Sequence, residues 1–258
     1  MARRFYLIGM SVIFGVFLFI GCNRDNVNLT ELEIKSDTAY LDGHLYTGTA
    51  FANDDSGRVV KQIRYVKGLP DGPYFEYYPD GQLKMEGNYS AGKREGVWKR
   101  YHPNGNMALS GTFKDGMKEG EWQYWYDNGQ LQYQGLWKNN QQDGLWRSWY
   151  EDGTLQSEVE WDNGIQNGWE KKYHPNGQLR SIGRFEAGQQ TGEWKWYYSD
   201  GLPESVDNWK DGMAHGLMEK YHPNGQLKTK GIWENGKRVG EFISWDSTGK
   251  VVERKKYQ

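Results

Sequence analysis

The feature that most constrains this chain is a glycine period of 24 residues. Glycines recur at that interval at Gly57, Gly81, Gly105, Gly129, Gly153, Gly177, Gly201, Gly225 and Gly249. A second series from Gly48 to Gly240 keeps the same interval, so no insertion or deletion has occurred between them. Self-similarity at a fixed period predicts a stack of identical supersecondary units, each of which relies on its neighbours for a core.

Each unit contains two turn signals, which divide it into two strands. In the first turn, such as 78–81, Pro79 sets φ near −65° and Gly81 supplies a left-handed conformation, which predicts a three-residue hairpin loop with a bulge. The second turn, at 114–116, is predicted to use the same chemistry, and Asn140 fits its glycine position because Asn tolerates positive φ. The predicted structural turn glycines are Gly81, Gly105, Gly129, Gly153, Gly177, Gly201 and Gly225.

The second strand of each unit alternates between apolar and polar residues, as in Leu83, Met85 and Gly87, which predicts a half-buried antiparallel strand. Its glycine is expected to lie beneath a ring from the next strand. The first strand carries two aromatic columns, at Trp98 and Tyr101. A regular strand puts them on opposite faces and a bulge would bring them together, and the sequence leaves both arrangements open.

These patterns predict an all-β fold, an elongated antiparallel β-meander array of about eight hairpins over residues 37–258. Sixteen per cent of the residues are aromatic and 34 are glycine, as expected for short strands joined by tight turns. No 3.6-residue periodicity follows the N-terminal segment, so no helix is expected there.

The N-terminus has the layout of a secretory signal. Arg3 and Arg4 precede an uncharged run over residues 5–20, and Gly21 and the sole cysteine, Cys22, follow. Residues 18–22 resemble a bacterial lipoprotein lipobox, in which the cysteine is lipidated and the chain is cut before it. The resemblance implies a signal peptide over 1–21, a lipidated Cys22, a tether over 22–36 and a lipid-anchored location in the cell envelope, outside the cytoplasm. An uncleaved signal anchor is the alternative.

Charge and motifs argue against several classes of function. Without residues 1–21 the chain keeps 30 basic and 34 acidic residues, because only Arg3 and Arg4 are lost from 32 and 34, so a nucleic-acid partner is not expected. No phosphate loop, Ser-His-Asp set or metal-ligand spacing is present in the sequence, so we expect no catalytic residues, no metal, no cofactor and no enzymatic activity. His102, His174 and His222 share one turn column with Tyr78, which predicts a structural role.

The repeating pattern Gly-x-Trp-x-x-Tyr, then Asn-Gly-x-Leu and Gly-x-aromatic, resembles the MORN-variant repeats of bacterial proteins classed with the YwqK-type antitoxins. The likeness covers about residues 44–250 and weakens at Val159, Trp169-Glu170, Leu202 and Asp207. It implies a β-meander array that binds another protein, such as a toxin that it neutralises. A weaker likeness to choline-binding and related cell-wall repeats keeps a glycan or wall polymer as the alternative partner.

The aromatic columns are the candidate binding feature of the sequence. The candidate binding residues are Trp98, Trp122, Trp146, Trp169 and Trp194, and the alternative is that these rings form the core. Glycan binding requires exposed rings placed alike in successive repeats. A protein interface concentrates its energy in a few residues, which we expect near Trp169 or Leu202, where the repeats lose their regularity.

Overall fold

The computed structural model describes residues 24–258, which form an all-β structure with one 3-10 turn at Leu29–Glu31. The N-terminal strands are β1 (Asn26–Asn28), β2 (Glu33–Lys35), β3 (Thr38–Leu41), β4 (His44–Leu45), β5 (Gly48–Asn53), β6 (Val59–Val66), β7 (Leu69–Tyr77) and β8 (Leu83–Ser90). The central strands are β9 (Lys93–Tyr101), β10 (Met107–Lys114), β11 (Met117–Trp125), β12 (Leu131–Lys138), β13 (Gln141–Trp149), β14 (Leu155–Asp162), β15 (Ile165–Tyr173) and β16 (Leu179–Glu186). The C-terminal strands are β17 (Gln189–Tyr197), β18 (Pro203–Lys210), β19 (Met213–Ala214), β20 (Gly216–Tyr221), β21 (Leu227–Glu234), β22 (Lys237–Trp245) and β23 (Val251–Tyr257).

Strands β5 to β23 follow one another in an open antiparallel sheet, in which β19 and β20 share the edge of β18. Strand β1 lies parallel to β5, with Val27 opposite Ala50, and so covers the first edge of the sheet. Strands β2, β3 and β4 form a separate three-stranded sheet. The predicted β-meander of hairpins is confirmed.

The segment predicted as a tether, 22–36, contains ordered structure from Asn26 onwards. Val27 and Leu32 are buried, and the Tyr46 hydroxyl donates hydrogen bonds to the carbonyls of Asp25 (3.3 Å) and Thr49 (3.0 Å). This stretch therefore caps the array instead of serving only as a spacer. Residues 1–23, and with them the predicted signal peptide and Cys22, lie outside the described residues.

The first turn of each unit is the predicted three-residue loop. The Gly81 amide donates to the Tyr78 carbonyl (2.8 Å) and the Tyr78 amide donates to the Gln82 carbonyl (2.8 Å), which closes the loop around Pro79 and Asp80. Gly81 has φ +89°, and the other six predicted turn glycines lie between +81° and +88°. All seven glycines have the left-handed conformation that the predicted loop requires.

The second turn differs from the prediction because its loop has only two residues. Lys114 pairs directly with Met117, and Asp115 and Gly116 between them have φ of +52° and +82°. Positive φ at both loop residues is the type I′ turn, whose twist matches that of the flanking strands. Asn140 occupies its glycine position at φ +65°, as expected.

The glycine series that includes Gly96 forms β-bulges in the first strand of each unit. Glu86 pairs with Lys99 and Asn88 with Glu95, so residues 96–98 lie opposite Gly87 alone. Beyond the bulge the strand is regular, so Trp98 and Tyr101 face opposite ways. We call the side with Trp98, Trp122 and Trp194 the core face, and the side with Tyr101, Tyr173 and Trp169 the second face.

A further register shift, in the second strand of each unit, separates residues that the alternation grouped together. Leu83 pairs with Tyr77 while Met85 pairs with Glu76, so Lys84 is the extra residue. Since paired residues share a face, Leu83 lies with Tyr77 on the second face and Met85 on the core face. The expected common face of Leu83 and Met85 is therefore wrong.

Candidate functional site

On the core face, each regular hairpin packs a ring over a glycine. A Cβ at Gly111 would overlap the ring of Trp122, whose indole nitrogen donates to the Thr112 carbonyl (3.1 Å). The same arrangement pairs Gly87 with Trp98, Gly135 with Trp146, Gly183 with Trp194 and Gly231 with Phe242. The expectation that the strand glycine lies beneath a ring from the next strand is confirmed.

Burial separates the five candidate tryptophans into two groups. Trp98, Trp122, Trp146 and Trp194 are only 2, 2, 8 and 2% exposed, whereas Trp169 is 47% exposed. A ring must be accessible to stack on a ligand or to enter a partner's pocket. The first four therefore belong to the core, and only Trp169 remains as a binding candidate.

Long cationic side chains close the core face over its rings. The Lys118 ammonium lies 4.5 Å from the ring centre of Trp122 and 4.2 Å from that of Trp137. Burial, together with the nearby charge of Arg94, lowers the pKa of Lys118. Such cation–π contacts cover apolar surface while leaving the charge near water, so a single-layer sheet obtains a core without a second layer.

The hairpin of β14 and β15 breaks the ring-over-glycine rule. Val159 takes the glycine position and Glu170, which is buried and pairs with Lys172 (2.9 Å), takes the tryptophan position opposite it. The tryptophan stands one residue earlier, at Trp169, and so projects from the second face. The sequence analysis identified the irregularities at Val159 and at Trp169-Glu170. It did not predict that Val159 and Glu170 lie opposite each other in neighbouring strands.

At a second irregular hairpin the glycine and the ring are again lost together, since Asp207 and Met218 take their positions. At a third hairpin only the glycine is lost, because Ile63 lies opposite the buried ring of Tyr74. The bulge glycines of the irregular hairpins also differ in φ from those of the regular ones. Gly72, Gly168 and Gly216 have φ of +109°, +120° and +99°. In the five regular hairpins the φ of the bulge glycine lies between +66° and +70°.

Local contacts fix the backbone that carries Trp169. The Glu160 carboxylate accepts a hydrogen bond from the Trp169 amide (2.8 Å). It does so by packing against Gly168, where any Cβ would overlap it. At φ +120° this glycine also has a conformation that other residues rarely adopt. The position of Trp169 on the second face is thus built by its own hairpin.

Trp169 stands between two adjoining grooves on the second face. A groove of about 710 Å³ is lined on one side of the ring by Ile182, Arg184 and Lys195, among others. A second groove, of about 260 Å³, is lined by Leu145 and again by Ile182. An exposed indole flanked by two aliphatic side chains and a polar rim is the composition of a protein-interaction site.

Other apolar residues are also exposed on the second face, and two of them, Leu217 and Ile232, lie opposite each other. Val97, Leu136, Leu217 and Ile232 are exposed at equivalent levels of other hairpins on the second face. Leu202 is also exposed, but it lies in the first turn between β17 and β18 and lines neither groove. Of the two irregular positions predicted as hot spots, Trp169 is the one with grooves around it.

The turn histidines bind the backbone of the next repeat. The Nε2 atoms of His102, His174 and His222 bond the carbonyls of Trp125 (2.9 Å), Tyr197 (2.8 Å) and Trp245 (2.9 Å). The Tyr78 hydroxyl donates in the same way to the Tyr101 carbonyl (2.8 Å). The predicted structural role of this column is confirmed.

Within residues 24–258, no group of three or more His, Cys, Asp or Glu side chains is arranged to hold a metal ion.

Among the described residues there is also no helix long and apolar enough to cross a membrane.

Comparison with known proteins identifies the repeat. The family model described as "MORN repeat variant" matches seven segments, at 70–91, 94–115, 118–139, 142–163, 166–187, 190–211 and 214–237, which together make up more than half of the chain. The sheet continues beyond both ends of the matched region, through β5–β6 and β22–β23. No curated protein matches the chain.

Three solved structures show weak similarity at 14% sequence identity. They are crystal structures of TcdB2-TccC3-Cdc42, of TcdB2-TccC3-TEV and of TcdB2-TccC3 without its hypervariable C-terminal region. The matches cover 76, 81 and 82% of this chain but only 14, 17 and 17% of the others, with TM-scores of 0.21, 0.19 and 0.17. Scores this low carry no argument about function.

Proposed function

The chain belongs to the MORN repeat variant family, and from that premise we propose that it is a non-enzymatic scaffold that binds a protein partner on its second face, at Trp169. The observation that carries the proposal is the position of this tryptophan. A large ring that would stabilise the core is instead 47% exposed, and a buried glutamate takes its place. Such a loss of core packing is retained where the exposed ring has a use.

The distribution of rings favours a protein over a glycan. Stacking along a polymer requires equivalent exposed rings in successive repeats, and the positions equivalent to Trp169 in three neighbouring repeats hold Glu121, Leu145 and Glu193. The exposed ring of Trp169, with Leu145 and Ile182 beside it, instead has the local concentration of apolar surface typical of a hot spot.

We further propose that the array acts at the cell envelope, anchored through a lipid on Cys22, and that a toxin which it neutralises is one such partner. This part is supported by the sequence resemblances at residues 18–22 and over the repeats. Metabolic labelling with a radioactive fatty acid is expected to mark the wild-type protein and to miss Cys22→Ala, and equal labelling of both would contradict the anchor.

The binding proposal is tested by affinity capture from native envelope with the soluble repeats, residues 24–258, alongside binding to purified peptidoglycan. We expect a protein that binds saturably to the wild type and about tenfold or more weakly to Trp169→Ala, because truncating a central hot-spot ring costs about 2 kcal/mol or more. Peptidoglycan is expected to show no saturable binding.

Val97→Ala is the matched control, since Val97 is also exposed on the second face but lies far along the array from Trp169. It should leave capture unchanged. Saturable binding to the wall polymer with no protein dependent on Trp169 would overturn the proposal in favour of the glycan alternative.

A further inference from the structure

Resting on the proposed function, we infer that the partner presents a carboxylate next to the apolar side chain that contacts Trp169, and that Arg184 binds this carboxylate. Arg184 lies directly opposite Trp169 in the β15–β16 pair, and its guanidinium is 5.9 Å from the centre of the indole ring. The two side chains line the same groove.

Within the described residues, Arg184 differs from the other cations around Trp169 in having no acidic partner. Lys171 pairs with Glu158 (3.8 Å), Arg147 with the same carboxylate (3.1 Å), and Lys195 with Glu193 (2.9 Å). Among residues 24–258, no carboxylate lies within ion-pair distance of Arg184. The guanidinium of Arg184 is therefore left without an ion pair within this part of the chain.

Glu160 and Glu186 lie near Arg184 in the sheet without forming an ion pair with it. Glu160 accepts the hydrogen bond from the Trp169 amide and packs over Gly168, which directs its carboxylate toward β15. Glu186 lines the same groove but follows Arg184 by two residues, at the end of β16 next to the turn. Arg184 is thus the charged residue directly opposite Trp169, whereas Glu186 pairs with Gln189 beside the turn.

The chemistry of the pair specifies the ligand. A planar guanidinium donates two parallel hydrogen bonds to one carboxylate, and a neighbouring indole excludes water from that contact. The aliphatic surfaces of Ile182 and Leu145 on either side of the ring suit an unbranched or branched apolar side chain. The fitting segment is an exposed stretch of polypeptide with an apolar residue and an Asp, a Glu or a free C-terminus within two positions.

A selection experiment reads this chemistry directly, with random peptides as the probe. A random-peptide display library is selected on the soluble repeats and counter-selected on Trp169→Ala, and the enriched sequences are compared with those from Arg184→Gln and Arg184→Glu. We expect the wild type to enrich an apolar residue with a carboxylate beside it. Arg184→Gln should weaken a selected peptide by about tenfold to a hundredfold, the range for a hydrogen bond to a charged group.

Arg184→Glu should shift the enrichment from acidic to basic residues, which mere loss of structure would not do. Arg254→Gln, whose residue pairs with Glu241 (3.1 Å) far from the groove, is the control and should leave the selection unchanged. Enrichment that depends on Trp169 but lacks carboxylates would overturn this inference and leave the proposed function standing. Identical enrichment on wild type and Trp169→Ala would overturn both.

Discussion

The hairpins β10–β11 and β14–β15 share one backbone plan and differ in where they place one tryptophan. In the first, Trp122 covers Gly111 and is 2% exposed; in the second, Val159 and Glu170 meet on the core face and Trp169 is 47% exposed on the other. A tryptophan that packs on the core face in this way thus requires its glycine, because a Cβ beneath it would overlap the indole ring. Loss of both at once leaves a foldable hairpin whose ring is free for another role.

The contrast also explains how an array of near-identical units acquires one distinct site. Identical repeats offer the same surface many times, so a partner that must bind once needs a local exception. The exception here consists of two changes. Gly-Glu-Trp at 120–122 and 192–194 becomes Gly-Trp-Glu at 168–170, and Val159 replaces the strand glycine.

The largest expected effect comes from truncating the two tryptophans that define the comparison. Trp122→Ala should lower the free energy of unfolding by about 3–5 kcal/mol, because it leaves a cavity above Gly111 and removes the indole hydrogen bond to Thr112. Trp169→Ala should change it by no more than about 1 kcal/mol, because half of that ring is already in water. Urea denaturation followed by circular dichroism measures both.

Similar losses of stability for the two variants would contradict the division between core and site. Since repeat arrays need not unfold in one step, the midpoint of the transition and its slope are both compared.

A smaller effect of opposite sign is expected from restoring the regular pattern. The triple variant Val159→Gly, Trp169→Glu, Glu170→Trp recreates the arrangement of 120–122 above a glycine. It should raise the free energy of unfolding by about 1–3 kcal/mol through burial of the ring, while abolishing partner capture. Binding and stability are measured on the same preparation.

The double variant Trp169→Glu, Glu170→Trp is the control for this gain. It places a ring above Val159, where the side chain occupies the space that a glycine would leave open, so it should be less stable than the triple variant. A double variant as stable as the triple one would show that the ring does not require its glycine.

Much of this architecture could be predicted because it repeats. The 24-residue period, the first turn with Gly81 at positive φ, and the glycine beneath a ring each follow from steric rules that act within a hairpin. The type I′ conformation of the second turn could also have been predicted, since Asp115-Gly116 is a typical sequence for a two-residue loop.

The candidate site could not be predicted from the 24-residue period alone. The face on which Trp169 projects is set by a bulge at Gly168, and alternation cannot be followed through a bulge whose position is unknown. The capping segment from Asn26 to Lys35 contains no repeat, so its pairing with β5 left no periodic signal. The sequence held two clues to the site. One was the displaced Trp169, which predicted a hot spot nearby, and the other was that Val159 and Glu170 depart from the pattern together, eleven residues apart.

The smallest expected effect is a pH dependence of stability at a second irregular hairpin, where Asp207 replaces the strand glycine on the core face. Asp207 is buried in a glycine position; one carboxylate oxygen accepts a hydrogen bond from Ser205 (3.2 Å), and within the described residues the other has no hydrogen-bond partner. Burial raises the pKa of Asp207, against the opposing influences of the Ser205 hydrogen bond and the charge of Lys220. The folded state therefore holds a proton at pH values where the unfolded chain has released it.

A raised pKa in the folded state means that the contribution of Asp207 to stability is complete below the unfolded pKa, near pH 4, and is lost as the pH rises through the folded pKa. Asp207→Asn has the same shape and no titration. We therefore expect the wild type to lose stability relative to Asp207→Asn as the pH rises from about 4 to 7, measured as the difference between their free energies of unfolding in urea. Other carboxylates titrate equally in both proteins and cancel in that difference. A difference that stays constant would mean that the carboxylate is as well solvated in the folded state as in the unfolded chain, and one that grows in favour of the wild type would mean that its pKa is lowered; either result contradicts the prediction.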